Sequence, residues 1–111
     1  MSECIFCSII KGDIPSTKVY EDEKVLAFRD IAPQAPVHIV LIPKVHSRSL
    51  LEAQPEVMSD IVKAVKIIAK QEGIDEKGFR LVNNCGKEGG QTVDHLHFHL
   101  LGGRNLQWPP G

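Results

Sequence analysis

Apolar and polar positions along the 111-residue chain change period from one segment to the next. Ile5 to Ile10 reads as a short helix, with Phe6 and Ile9 sharing a face at i,i+3 and Gly12 and Pro15 placed to stop it. Thr17 to Glu21 and Lys24 to Arg29 read as two strands joined around Asp22-Glu23. After the loop Ala32 to Pro36, the run Val37-His38-Ile39-Val40-Leu41-Ile42-Pro43 is nearly all β-branched or Leu, which predicts a central strand covered on both faces.

Pro55 to Glu72 is the one long helical pattern. Pro55 suits the first helical position, Glu56 the positive end of the helix dipole, Lys70 the negative end, and Gly73 the stop. Val57, Ile61, Ala64, Val65 and Ile68 keep the helical period and face a core; Met58, Val62 and Ile67 widen that surface. The wider stripe suits either a broad core or a subunit interface. Phe79 to Asn83 reads as a further strand.

The last periodic stretch is His95-Leu96-His97-Phe98-His99-Leu100-Leu101, where histidine and apolar residues alternate. In a strand, Leu96, Phe98 and Leu100 would enter the core, while His95, His97 and His99 would stand in a row, about 6.7 Å apart along one face. A half-buried face of ordinary structure carries Thr, Lys or Glu, so a row of imidazoles points to chemistry. Two chemistries fit: zinc ligation by neutral imidazoles, or attack on phosphorus by one ring while its neighbours donate to phosphate oxygens and the leaving group. The preceding Asn84-Cys85-Gly86-Lys87-Glu88-Gly89-Gly90-Gln91-Thr92 favours phosphate, because a Gly-rich loop can converge backbone N–H groups on an anion.

Composition narrows the class. The length suits one domain over 1–111, and a formal net charge of −1 gives no general reason to expect nucleic acid or membrane binding. With no signal peptide and no apolar run near 18 residues, the chain reads as a soluble cytoplasmic protein. Three cysteines are not a disulfide framework. Cys4 and Cys7 form a Cys-x-x-Cys with no strand before it, as a thioredoxin-like site would need; half a zinc site or two buried cysteines remain. Asp30 at a strand end suits a turn, and His38 alone in a core strand suits a satisfied buried residue.

Asn84, Gly90-Gln91-Thr92-Val93, and His95-x-His97-x-His99 followed by Leu100-Leu101-Gly102-Gly103 together resemble the signature of the histidine triad (HIT) superfamily of nucleotide hydrolases and transferases. The ending Gly102 to Gly111, with Trp108-Pro109-Pro110-Gly111, and the beginning Ile5-Phe6-Cys7-Ser8-Ile9-Ile10 through Ile14-Pro15 resemble its Hint branch. The resemblance implies an α+β fold: an antiparallel sheet of about five strands with two helices, continued across a homodimer.

The resemblance also implies an activity and a set of roles. The activity is hydrolysis of nucleoside 5′-phosphoramidates or related nucleotidyl esters, with a purine nucleoside monophosphate as the bound group. His97 would attack phosphorus through Nε2, its Nδ1–H held by a main-chain carbonyl. His99, Asn84, Thr92 and the N–H groups from Gly90 through Gln91 to Val93 would hold the phosphate charge. Phe6, Ile9, Ile14 and Val40 would form the base slot; Asp30, with Ile31 beside it, would take the ribose hydroxyls. His38 would orient the nucleophile or pass a proton. Some members bind structural zinc through an N-terminal cysteine pair, and the matching ligands here are Cys4, Cys7, His46 and His95. His95 would then position the nucleophile rather than donate protons, and the chemistry at His97 would need no cofactor. A dinucleoside polyphosphate hydrolase resembling the Fhit branch, and a nucleotide- or zinc-binding interaction module without turnover, are the competing readings.

Overall fold

The structure, a computed structural model, describes residues 4–111. Its elements in chain order are α1 (Ile5–Lys11), β1 (Lys18–Glu21), β2 (Val25–Arg29), β3 (Val37–Pro43), α2 (Glu56–Gln71), β4 (Phe79–Val82) and β5 (Phe98–Gly102). The five strands form one antiparallel sheet in the order β1-β2-β3-β5-β4. The expected α+β architecture is therefore present.

Alternation along the strands sorts side chains to two faces. Val25, Ala27, Ile39, Leu41, Phe98 and Leu100 pack under α2 with Ile61, Ala64, Val65 and Ile68. Leu26, Phe28, Val40 and Ile42 face the other way and meet Ile9, with Phe6 and Ile10, from α1. That division explains the nearly continuous apolar run of β3, which is covered on both sides. Each fully buried Leu or Ile contributes about 1.5–3 kcal/mol relative to exposure.

The ends of α2 follow backbone chemistry. Gly73 takes a left-handed φ of 72°, the Gly73 N–H donates to the Lys70 carbonyl, and the Ile74 N–H donates to the Ala69 carbonyl. This pair of bonds closes the last turn, and buried Ile74 seals it against the core. Pro55, expected as the first helical residue, instead caps the helix from outside, with its ring making no cap hydrogen bond. Of the three residues expected to widen the apolar stripe, Met58 packs against the core while Val62 and Ile67 are exposed.

The histidine row departs from a regular strand. β5 begins only at Phe98, so His95 and His97 precede the ladder. Their main chain has other partners: the Leu96 N–H donates to the Ser47 carbonyl, the His95 carbonyl accepts from the His97 ring, and the His97 carbonyl accepts from the Asn83 amide. One main-chain bond to a loop and two side-chain bonds replace the ladder there. His95 is fully buried and His97 nearly so, whereas His99 is half-buried.

Candidate functional site

Cross-strand register builds the floor of the site. Phe28 pairs with Val40, and Val40 with His99, so one row crosses β2, β3 and β5 on the α1 face. His38, two residues before Val40, stands on the same face beside His99. α1 walls this surface: the Phe6 ring lies edge-on to Phe28, His95 and His97, with centroids 5.8, 5.8 and 5.1 Å away. Between them opens a cavity of about 650 Å³, in the range for small-molecule sites. Its apolar end is made by Phe6, Ile9, Ile14, Phe28 and Val40, and its polar end by Asp30, Thr92, His97 and His99, with Ile31 and Val93 at the margin.

The hydrogen-bond network assigns the ring protons. His97 Nδ1 lies 2.7 Å from the His95 carbonyl, which can only accept, so Nδ1 carries the proton and Nε2 keeps a lone pair. His38 Nδ1 accepts from the Gln34 N–H at 3.0 Å, so its proton sits on Nε2. That Nε2–H donates to His99 Nδ1 at 2.9 Å, which places the His99 proton on Nε2. The site thus pairs a basic nitrogen on His97 with a donor on His99, ring centroids 5.2 Å apart. Such a pair can attack an electrophile and donate to its oxygens or leaving group. Burial holds the His38 imidazole below the ordinary histidine value, with Asp30 pulling the other way. Burial does the same to His99, helped by His97 and His38 and opposed by Asp30.

Asp30 has two tasks in the free protein. Its Oδ1 accepts the Ala32 N–H at 2.8 Å, the ordinary role of a carboxylate in a turn, while Oδ2 lies 3.4 Å from His38 Nε2. It still lines the cavity.

Other expected site residues fall elsewhere. Asn84 and His38 line a small adjoining cavity of about 200 Å³, which His99 separates from the larger one. Gly90 and Gln91 face a third cavity with Arg48 and Cys85. The Gly90 and Gln91 N–H groups, expected to converge on an anion, donate instead to the Lys87 and Gly86 carbonyls and close the loop. The Gln91 side chain is equally occupied, donating to the carbonyls of Arg48 (2.7 Å) and Val93 (2.9 Å) and accepting from the Gly86 N–H. Among the described residues the N–H groups of Thr92 and Val93 have no acceptor, so the loop presents two donors rather than four. The sequence reading missed Phe28, although Leu26 and Phe28 alternate as a strand face should. It also missed Asn83, whose neighbour Asn84 carried the resemblance but whose own amide fixes the main chain at His97.

A second cluster lies behind Phe6. The ligand atoms of Cys4, Cys7, His46 and His95 all lie within 4.8 Å of one another. His95 Nε2 donates to the Pro43 carbonyl at 2.8 Å, leaving Nδ1 as a lone pair. That nitrogen lies 3.3 Å from Cys4 Sγ, 3.6 Å from Cys7 Sγ and 3.1 Å from His46 Nδ1, and Cys7 Sγ lies 3.4 Å from His46 Nδ1. Zn–S bonds of about 2.3 Å and Zn–N bonds of about 2.0–2.1 Å give tetrahedron edges of about 3.3–3.8 Å. The donor set and its spacing therefore fit zinc, with the Pro43 carbonyl holding the ligand tautomer. Neither nitrogen of His95 faces the cavity, so the imidazole expected among the catalytic groups reaches His97 only through its main-chain carbonyl.

A family model described as "HIT domain" matches residues 11–106. A 14 kDa zinc-binding protein of Brassica juncea is 54% identical over 98% of this chain and 100% of its own length. The adenylylsulfatase HINT1 of Arabidopsis thaliana is 52% identical over 99% of this chain and 78% of its own. Among solved structures, a HIT family hydrolase from Legionella pneumophila superposes with a TM-score of 0.95 at 48% identity, over 98% of this chain and all of the other.

Proposed function

Because the chain belongs to the HIT domain family, we propose that it is a hydrolase of nucleoside 5′-phosphoramidates and related nucleotidyl esters, acting through a covalent nucleotidyl-histidine. The observation that carries this reading is the fixed tautomer of His97, whose basic Nε2 belongs to a ring lining a nucleoside-sized cavity. A purine base occupies the apolar end against Phe6, Ile9, Ile14 and Val40. The ribose hydroxyls meet Asp30 beside Ile31, which brings the α-phosphate to the histidines. His97 Nε2 bonds to phosphorus as the P–N bond breaks, and the leaving amine takes a proton from His99 Nε2. Water then displaces His97 and returns a proton to His99, so one hard displacement becomes two easier ones. The Thr92 and Val93 N–H groups stabilise the phosphate oxygens in both steps, while Asn84, Gly90 and Gln91 shape the loop and the His99 side of the site.

Cys4, Cys7, His46 and His95 would hold zinc, and a metal bound there would tie the α1 wall to the segment bearing His97. Four protein ligands leave no open position for substrate, and the reaction proceeds on the protein's own groups. His38 keeps His99 in its donor tautomer. The chain works as one domain, as a homodimer whose sheet continues from the outer edge of β4.

The test is turnover of adenosine phosphoramidate, adenylyl sulfate and diadenosine polyphosphates by wild-type protein and His97→Ala. Adenylyl sulfate is included because the Arabidopsis relative is an adenylylsulfatase. We expect phosphoramidate to be the best substrate, an adenylyl-protein trapped by alkaline denaturation in the wild type, and a loss of at least about 10³-fold in the variant. Retention of more than about a tenth of the activity would mean that another group attacks phosphorus.

A further inference from the structure

Three groups meet at the His99 side of the cavity: Asp30 from the end of β2, His38 from β3 and His99 from β5. His38 Nε2 lies 2.9 Å from His99 Nδ1 and 3.4 Å from Asp30 Oδ2, and that same oxygen lies 4.0 Å from His99 Nδ1. The three ligating-type atoms form one compact cluster, separate from the cysteine site. Counting protons gives this cluster a meaning. With one proton on each ring, the Nε2–H of His38 satisfies His99 Nδ1 and no carboxylate is needed. To hand over its Nε2 proton and remain neutral, His99 must first carry a second proton, on Nδ1. His38 cannot accept that proton's hydrogen bond, because its Nδ1 is taken by the Gln34 N–H and its Nε2 already bears hydrogen. Two N–H groups would then face each other, and the nearest acceptor for either is Asp30 Oδ2.

We propose that Asp30, beyond holding the ribose, is the positioning residue that lets the His38–His99 pair hold the extra proton delivered to the leaving group. This rests on the reading of His99 as proton donor given above. The proton balance closes over the cycle. The amine leaves with the proton from His99 Nε2, and the attacking water restores it, so Asp30 is never consumed and needs only to remain an anion. The same carboxylate that recognises ribose thus links sugar binding to the state of the acid. Other charges facing the pair do not substitute for it. His97 opposes a cation on His99, and Arg104 sits on the Gln34 carbonyl at the surface.

The experiment separates this linkage from ribose recognition by observing the protein without nucleotide. Histidine ring resonances of His38 and His99 are titrated by NMR in wild type, Asp30→Asn and Asp30→Glu, all zinc-loaded. Asn retains an oxygen for the Ala32 N–H, so the turn survives while the charge is lost. We expect the midpoint of the pair to fall by about one pH unit in Asp30→Asn, the shift an opposite charge at this range supports, and to recover in Asp30→Glu. The alkaline limb of kcat with saturating adenosine phosphoramidate, where the proton donor is lost, should move by the same amount and in the same direction, both with the ribose substrate and with its 2′-deoxy analogue. An unchanged midpoint, with Asp30→Asn raising only KM for the ribose substrate, would overturn the proposal and leave Asp30 a sugar ligand. A shifted midpoint in a protein that hydrolyses no phosphoramidate would uphold the linkage while refuting the proposed substrate, so the two failures are distinct.

Discussion

Replacing both Cys4 and Cys7 with serine removes two of the four proposed zinc ligands while sparing the helix they begin. Cys4 Sγ accepts the Cys7 N–H at 3.4 Å as an N-cap, and serine is itself a preferred N-cap residue, so α1 loses no local support. What it loses is its tether. The cluster joins residues 91 apart through Cys4–His95 and 39 apart through Cys7–His46. By analogy with a covalent cross-link, closing loops of this size restricts the unfolded chain by about 3–5 kcal/mol, an upper bound for a metal clip. If about half is realised, the double variant should melt roughly 6–10 °C lower, at about 4 °C per kcal/mol for a chain of this size. A second loss falls on the cavity. Phe6 makes three edge-on ring contacts, each worth about 0.5–1.5 kcal/mol. Loosening them should raise the Kd for AMP by about tenfold or more, at 1.4 kcal/mol per decade. Elemental analysis of protein purified without chelator should give one zinc per chain, and none in the variant. Calorimetry and AMP titration measure the rest. Zinc-free wild-type protein with the melting temperature of the purified form would refute the clip. Loss of the adenylyl-histidine with AMP still bound would refute the separation of metal from chemistry.

Three further outcomes follow from other features. Gln91→Ala strands the Gly86 N–H and two carbonyls and should cut turnover by about 10–100-fold through misplaced Thr92 and Val93, with full activity refuting the brace. Burial holds His38 and His99 below the ordinary histidine value, so between about pH 6.5 and their folded values the unfolded chain binds more protons. Stability from these two groups is complete above about pH 6.5 and is lost as pH falls. The melting temperature of the Cys4→Ser/Cys7→Ser protein, in which metal release plays no part, should therefore drop from pH 7.5 to 5.5; a flat or rising profile would contradict this. Among the described residues no strand lies beyond the outer edge of β4, and Phe79 on it is exposed. Light scattering should accordingly give about twice the 12.3 kDa chain mass, and a monomer would refute the continued sheet.

Periodicity alone determined most of the elements, because burial on one face or two leaves a direct mark on residue order. The nearly continuous apolar run Val37–Pro43, broken by His38, marks a strand covered twice, and the 3.6 period of α2 marks a helix on one side of it. The residue types of the site were equally legible: an imidazole row after a Gly-rich loop has few uses. What the sequence could not decide is direction. Whether His95 turns toward His97 or the cysteines depends on the Pro43 carbonyl, 52 residues away. The Gly90 and Gln91 N–H groups looked free because their acceptors, Lys87 and Gly86, are set by the shape of the loop and not by its composition. The proton on His99 is fixed by the Gln34 N–H through His38, 61 residues away in the chain, with the Asp30 carboxylate beside the pair. A hydrogen bond needs its partners aligned to within a few tenths of an ångström. Only the packed tertiary structure supplies that alignment, so donor, acceptor and ligand roles were decided there.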